Sequence, residues 1–432
     1  MLTFQTWSAL PLDARQQILS RPFQDRTAAT QVRTIIEAVQ AQGDTACKQF
    51  TKQFDGANLS DLRVSKNQIT NTTIDGKSLS AIETAIQTIA TYHQAMMPES
   101  ITVNTAKGVQ IERIYRPINK VGLYIPGGNN APLISSLLMQ AIPALVAGCP
   151  IRILCTPPNS ASEIDPNLLV AARLCQIDTI FKVGGAQAIA AMAYGTQTIP
   201  KVDKIFGPGN RYVTEAKTQV SIDPAGAAID MPAGPSEVMI IADDEANPAY
   251  VAADLLAQVE HGTDSQVLLI CQSRVFAARV NRQLTKQLET LSRKKIIQES
   301  LKHSAILICN SDEQTIAIIN DYSPEHLIIN RADANDWVGD ISNAGTIFLG
   351  PWAAETMGDY VTGSNHVLPT NGFARNHSGL STSDFLKAIS VQSVTREGIE
   401  NLGDVAYTLA MLEGLDAHAN AITQRLTEEN LS

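Results

Sequence analysis

Short apolar runs alternate with longer stretches of helical periodicity through the middle of this chain. Runs at 121–125, 151–155, 179–183 and 202–206 have the length and composition of buried strands. Between and after them, 132–147, 161–175, 186–194 and 210–221 carry apolar residues at helical spacing. Strand–helix repetition of this kind requires a parallel sheet covered on both faces. A second series follows, with strands at 238–241, 267–271, 305–309, 327–330 and 346–349, and helices at 274–301 and 312–320. One further helix is well punctuated. Asn247 is its N-cap and Pro248 its first residue; Val251, Leu255, Leu256 and Val259 form its apolar stripe, and Gly262 follows its end at His261.

The flanks read differently. Residues 1–30 are polar and broken by Pro11 and Pro22, which predicts an N-terminal arm. Val32, Ile35, Ile36 and Val39, and then Ile82, Ile86 and Ile89, mark helices with one buried face. Beyond 379, helical segments are expected around 385–389, 399–412 and 418–426. The predicted fold class is α/β, with two Rossmann-like parallel-sheet domains, an N-terminal arm and a C-terminal helical dimerisation segment. Residues 1–25 form the arm. Residues 26–120 plus 237–378 form a larger discontinuous domain, 121–236 a second one, and 379–432 a helical C-terminal arm.

Composition narrows the partners more than the fold. A net charge of −10 argues against nucleic acid and membrane surfaces, both polyanionic. No run of about 20 apolar residues offers a membrane span. The six cysteines are scattered, without Cys-x-x-Cys spacing, and the N-terminus has no basic region followed by an apolar core. The expectation is a cytoplasmic protein with reduced, buried thiols.

Candidate chemistry falls in three places. Glycine-rich loops leave three successive strands of the first series: Tyr124-Ile-Pro-Gly-Gly, Val183-Gly-Gly-Ala-Gln187 and Phe206-Gly-Pro-Gly-Asn210. Glycines at strand ends let a ligand approach the backbone, and helix N-termini favour an anion. The G-x-G-x-x-G fingerprint is absent, so a dinucleotide would bind by non-standard contacts. Next, Glu325 and His326 stand side by side after Pro324, at the mouth of an apolar strand that can aim both. Finally, Gln258 and His261 share a helix face, Glu355 to His366 holds two carboxylates and a histidine, and Glu413, Asp416 and His418 lie near the end. Gln258, His261, Asp359 and His418 together would offer two nitrogen and two oxygen ligands, a set that suits zinc or manganese.

Several of these segments together resemble the histidinol dehydrogenase family. They include Val121-Gly-Leu-Tyr-Ile-Pro-Gly-Gly, Val183-Gly-Gly-Ala-Gln-Ala, Lys204-Ile-Phe-Gly-Pro-Gly-Asn, Ile229-Asp-Met-Pro-Ala-Gly-Pro-Ser-Glu, Glu260-His-Gly, Ser323-Pro-Glu-His-Leu, Gly358-Asp-Tyr, Gly363-Ser-Asn-His-Val-Leu-Pro-Thr and Leu415-Asp-Ala-His. The likeness runs from about residue 110 to 420. It implies NAD-dependent four-electron oxidation of L-histidinol to L-histidine through the aldehyde. By the same resemblance, His326 is the general base and Glu325 activates water. One zinc ion per subunit is held by Gln258, His261, Asp359 and His418, and orients the substrate. Ser236, His366 and Glu413 contact substrate, as do His326 and the four metal ligands. Tyr124, Gln187 and Asn210 contact NAD. The family is a homodimer with shared sites, which implies that Glu413 and His418 come from the partner.

The residues alone leave other readings open. Cys149 or Cys155 could form a thiohemiacetal with an aldehyde. A zinc-dependent hydrolase would use Glu325 as base toward metal-bound water. A non-catalytic protein binding a small ligand would use its histidines structurally.

Overall fold

The computed structural model describes residues 2–22, 28–127, 132–231 and 234–427; the tip of the first glycine loop, 128–131, lies outside them, as do Pro232 and Ala233. Fourteen strands occur among the described residues, numbered here in chain order. They are β1 (Thr3–Thr6), β2 (Ile101–Ala106), β3 (Val109–Pro117), β4 (Lys120–Tyr124), β5 (Ile151–Thr156), β6 (Ile180–Lys182) and β7 (Lys204–Phe206). They continue as β8 (Ala228–Ile229), β9 (Glu237–Ala242), β10 (Gln266–Cys271), β11 (Ala305–Ile308), β12 (His326–Asn330), β13 (Thr346–Leu349) and β14 (Leu386–Val394).

Two parallel sheets dominate, as the alternation predicts. One runs β6-β5-β4-β7-β8, the other β1-β11-β10-β9-β12-β13. The order reverses between β4 and β7 in the first and between β9 and β12 in the second, giving each sheet a topological switch point. The central strands are buried on both faces. Along β9, Val238 and Ile240 enter one core with Val251, Leu255 and Phe276, while Met239 and Ile241 enter another with Trp7, Ile319 and Trp337. That is the two-residue period of a strand expressed as two separate cores. Each such aliphatic side chain contributes about 1.5–3 kcal/mol by leaving water.

Three expectations are corrected. The N-terminal stretch is not an arm, because β1 pairs in parallel with β11 and closes the six-stranded sheet. Asn281 fixes it further: its Oδ1 accepts from the Leu2 N–H and its amide donates to the Leu2 carbonyl. Next, the helices of residues 28–95 do not join the 237–378 sheet. Val32, Ile35, Ile36 and Val39 pack with Ile189 and Ile205, and Ile82 and Ile89 pack with Leu137 and Ile142, all on the five-stranded sheet. Their apolar stripes show that one face of each is buried, but not which sheet buries it.

The third correction concerns 385–389, expected to be helical. Phe385 ends a short 3-10 turn, Thr382–Phe385, and residues 386–389 belong to β14, which pairs antiparallel with β3 along the whole of both strands, while β2 flanks β3. The apolar residues of this small sheet are largely open to solvent, Val103, Ile389 and Val394 among them, so no buried face advertised it in the sequence. The helices Arg396–Leu412 and Asp416–Thr427 follow as expected.

Candidate active site

In the six-stranded sheet the chemistry gathers at the starts of strands, not their ends. The helix Pro248–Val259 explains why. It leaves the C-terminal end of β9, crosses the sheet antiparallel to the strands, and so returns its own C-terminus to the edge where β9 and β12 begin. Asn247 caps its start, accepting from the Ala249 N–H at 2.9 Å. Its far end delivers Gln258 and His261 beside Glu237, Glu325 and His326.

Glu325 and His326 enter β12 from a tight turn. Ser323 ends the preceding helix Asp312–Tyr322 with φ +55°, in the left-handed region, and Pro324 follows. Gly345 lies against this turn so closely that a Cβ there would stand 2.5 Å from the Glu325 carbonyl oxygen. Both side chains are buried, at 5% and 4% exposure. One residue holds both. The Glu237 N–H donates to Glu325 Oε2 at 2.8 Å, and the Glu237 carbonyl receives His326 Nδ1 at 3.1 Å. A carbonyl only accepts, so Nδ1 carries hydrogen and the imidazole's acid–base capacity resides at Nε2. Nε2 is buried without a hydrogen-bond partner, 3.7 Å from Asp359 Oδ1.

Electrostatics separates the two. Burial raises Glu325 to about 8, the neighbouring His326 charge offsetting only part of this. His326 is pushed well above its usual value: burial alone would lower it, but Glu355, Glu325 and Asp359 outweigh that. These three carboxylates favour the cation. Desolvation lowers His366, which is half-buried, and also His261, whose ring keeps an exposed face; for both it favours the neutral form.

His261, Glu355 and Asp359 bring donor atoms within 4.8 Å of one another. Gln258 joins them: its amide, assigned with nitrogen toward Glu355 at 3.0 Å, turns its oxygen to the Glu237 N–H at 3.1 Å. Glu355 is absent from the ligand set expected above. It and Asp359 lie four apart on the short helix Glu355–Tyr360, and that spacing, which puts two carboxylates on one helix face, was the available signal. His366 presents a second orphaned Nε2 nearby, and Ser236 directly precedes β9. A cleft of about 760 Å³ is bounded by Tyr360, Val361, Pro132, Leu138 and the helix Gly76–Ala95, and none of the cluster residues lines it.

The five-stranded sheet uses its opposite edge, where strands end. Tyr124 closes β4, and its hydroxyl accepts from the Gly185 N–H at 3.1 Å, spanning β5. Gly207, after β7, has φ +122°, and a Cβ there would meet the Tyr124 carbonyl oxygen. A buried ion pair of Lys217 with Asp230 clamps both backbone groups of Gly207: Lys217 donates to its carbonyl and Asp230 accepts from its N–H, each at 2.8 Å. Gln187 is buried with both amide atoms unpartnered at the second glycine loop. Asn210 instead caps the helix Arg211–Ile222, its oxygen accepting from Tyr212 and Val213.

Other expected residues stay apart. Glu413 and His418 lie exposed on the C-terminal helical pair, and neither joins the cluster within one chain. The cysteine alternative fails on chemistry, because Cys149 and Cys155 are fully buried and burial pushes both thiols up, to about 11 for Cys149 and beyond for Cys155.

Two doubly wound sheets, one with glycine loops at its switch point and the other with a buried carboxylate–imidazole pair, define a two-sheet α/β enzyme. The family described as histidinol dehydrogenase matches residues 19–426. Histidinol dehydrogenase of Legionella pneumophila (strain Paris) is 60% identical over 426 residues, spanning 99% of this chain and 99% of that protein. The Xanthomonas campestris pv. campestris (strain 8004) enzyme is 49% identical over 97% of this chain and 98% of its own. The crystal structure of histidinol dehydrogenase from Elizabethkingia anophelis superposes with a TM-score of 0.95 at 43% identity, covering 100% of this chain and 99% of that one. The chain belongs to the histidinol dehydrogenase family and is an oxidoreductase.

Proposed function

We propose that this enzyme oxidises L-histidinol to L-histidine with NAD, in histidine biosynthesis. The observation that carries the reading is the His326 ring: Nδ1 is committed to the Glu237 carbonyl, while Nε2 is buried, unpartnered and turned toward Asp359. That is the arrangement of a base waiting for a substrate hydroxyl. The cation that the carboxylates favour must first lose its Nε2 proton; the neutral ring then takes the alcohol proton in the first oxidation and the hydrate proton in the second. Glu325, once deprotonated, takes a proton from water as it adds to the aldehyde. Glu237 keeps both from turning away.

A metal fits the site. The His261 imidazole, the carboxylates of Asp359 and Glu355, and the Gln258 amide, once rotated so that its oxygen replaces its nitrogen on the side of Glu355, would form a mixed nitrogen–oxygen donor set suited to zinc. The holding set on this reading is Gln258, His261, Asp359 and His418, with Glu355 at its flank. Bound there, zinc supplies orientation of the substrate and a positive charge among the carboxylates. His366, Ser236 and Glu413 would add contacts to the substrate.

NAD fits the other edge. The unpaired Gln187 amide is what a ligand's polar groups would satisfy. Tyr124 and the free face of Asn210 flank it, and the cofactor supplies the hydride acceptor. Glu413 and His418 reach the site from a second subunit, giving a homodimer. The small antiparallel sheet and the helix Arg396–Leu412 support this, exposing Val103, Ile389, Val405, Leu409 and Leu412 as an apolar surface that a partner would cover. Six unpaired buried thiols suit a reducing cytoplasm.

The test is direct. Purified protein with L-histidinol and NAD should generate NADH, lose the activity to a chelator, and regain it with zinc. Activity indifferent to chelation would remove the metal from the reading, and no NADH would return the hydrolase and binding-protein alternatives.

A further inference from the structure

The motif ending in Ser236 and Glu237 contributes more than a substrate contact. Glu237 opens β9, and its side chain is 1% exposed. Its backbone reaches forward to the chemistry: the N–H to Glu325 and Gln258, the carbonyl to His326. Its carboxylate reaches the opposite way, to Arg21. The Arg21 Nη2 lies 2.7 Å from Oε2 and Nε 3.2 Å from the same oxygen, while the Asn371 N–H donates to Oε1.

Arg21 is itself well fixed. Its guanidinium stacks 3.7 Å from the centre of the Tyr322 ring and donates to the Tyr322 carbonyl at 2.6 Å. The segment before it is pinned by Gln266, whose amide donates to the Ile18 and Ser20 carbonyls and whose oxygen accepts from the Tyr322 hydroxyl. Tyr322 ends the helix that turns into Glu325 and His326. The guanidinium therefore touches both chain segments that deliver the site: the start of β9 through Glu237, and the approach to β12 through Tyr322.

We infer that Glu237 is a positioning residue for both proton-transfer groups, and that Arg21, from the N-terminal segment, sets its placement. The inference rests on Glu325 and His326 being the proton-transfer pair. Neither Arg21 nor Glu237 touches the reacting atoms. Their effect is to hold one peptide unit that donates to the carboxylate and accepts from the imidazole. A shift of that peptide misaims both groups together, and misplacement of about 1 Å can cost about a hundredfold in rate.

The experiment uses the full-length, zinc-loaded enzyme and the variants R21K, R21M, E237Q and R21M/E237Q, with H326A in parallel. Alcohol and aldehyde oxidation are measured separately, with KM for histidinol, zinc per subunit and Tm. Both singles, R21M and E237Q, should lower kcat for both oxidations by about tenfold or more, with KM and zinc content little changed. The double variant should be no slower than the slower single, as for two parts of one device. R21K keeps the charge and so the fold, but lacks the fork and the stacking plane; it should lose about fivefold or more in kcat. A merely structural role would lower Tm and leave kcat of the folded enzyme within about twofold of the parent in R21K and E237Q. That result overturns the inference, provided H326A is inactive. If H326A retained parental turnover, the proton-pair reading itself would fall, and this inference with it.

Discussion

Glu325 combines burial with a task that needs its ionised form, which sets the direction of its pH response. Its carboxyl is raised to about 8, so at neutral pH the protein on its own keeps it largely protonated. As a base toward water it gains activity as protons leave. The rate of aldehyde oxidation should therefore rise with pH and level off above about 8, and E325Q should abolish that limb while sparing alcohol oxidation more. H326A, in contrast, should slow both oxidations. Stopped-flow measurement with histidinol and with the aldehyde separates the two; equal losses in E325Q would refute the division of roles. Glu355 carries a different expectation. Removing a carboxylate beside Gln258 and Asp359 in E355Q should weaken zinc binding by about 10–100-fold, read by competition with a chromogenic chelator. At this scale the sequence was informative where chemistry is contiguous, as in Glu325-His326. It was silent where function depends on what surrounds a group. No spacing announces that Glu355, Asp359 and Glu325 converge on one imidazole, or that His326 is thereby held toward its cation.

Strands and helices act here as carriers with a direction. A crossover helix runs against its strands, so the residues at its C-terminus meet the residues at strand beginnings. That single geometric fact unites Gln258 and His261 with His326. The usual expectation of sites after strand ends holds for the glycine loops of the five-stranded sheet and fails for the proton pair. The clamp on Gly207 belongs to the former edge. K217M breaks a buried ion pair and frees the loop carbonyl, so KM for NAD should rise several-fold more than KM for histidinol, alongside a fall in Tm. On the other sheet, Ile240 is fully buried in β9, and Ile240→Ala should cost about 2–5 kcal/mol, measurable by denaturant titration. The central strands were legible because burial on both faces leaves continuous apolar runs. Strands β2, β3 and β14 were not. The side chains of β2 and β14 are mostly exposed and those of β3 only half-buried, so neither a buried apolar run nor a clean alternation marks them, and part of β14 reads as helix.

For the molecule as a whole, chain order and spatial order diverge. Helices of residues 28–95 serve the sheet that comes after them, and the first strand serves the sheet that comes last. Grouping the helices with the distant 237–378 sheet failed because helical periodicity reveals that a face is buried and not what buries it. The C-terminal unit extends the same logic beyond one chain. If Glu413 and His418 complete a neighbour's site, mixing H418A subunits with H326A subunits should regenerate activity, since one site in each mixed dimer then carries both intact contributions. Verified heterodimers without activity would place the whole site within a single chain.

The pairing of β1 with β11 has a consequence for how the protein is made. Residues 3–6 leave the ribosome long before the strand they add to, 305–308, which follows about 300 residues later. The strands of the five-stranded sheet all lie between 120 and 229 and can begin to pair during synthesis, whereas the six-stranded sheet must wait for a long-range closure that is intrinsically slow. Arg21 reaches Glu237 only on that closure. Recovery of turnover after denaturation should accordingly trail recovery of helical signal, with residues 3–6 among the last to find their place.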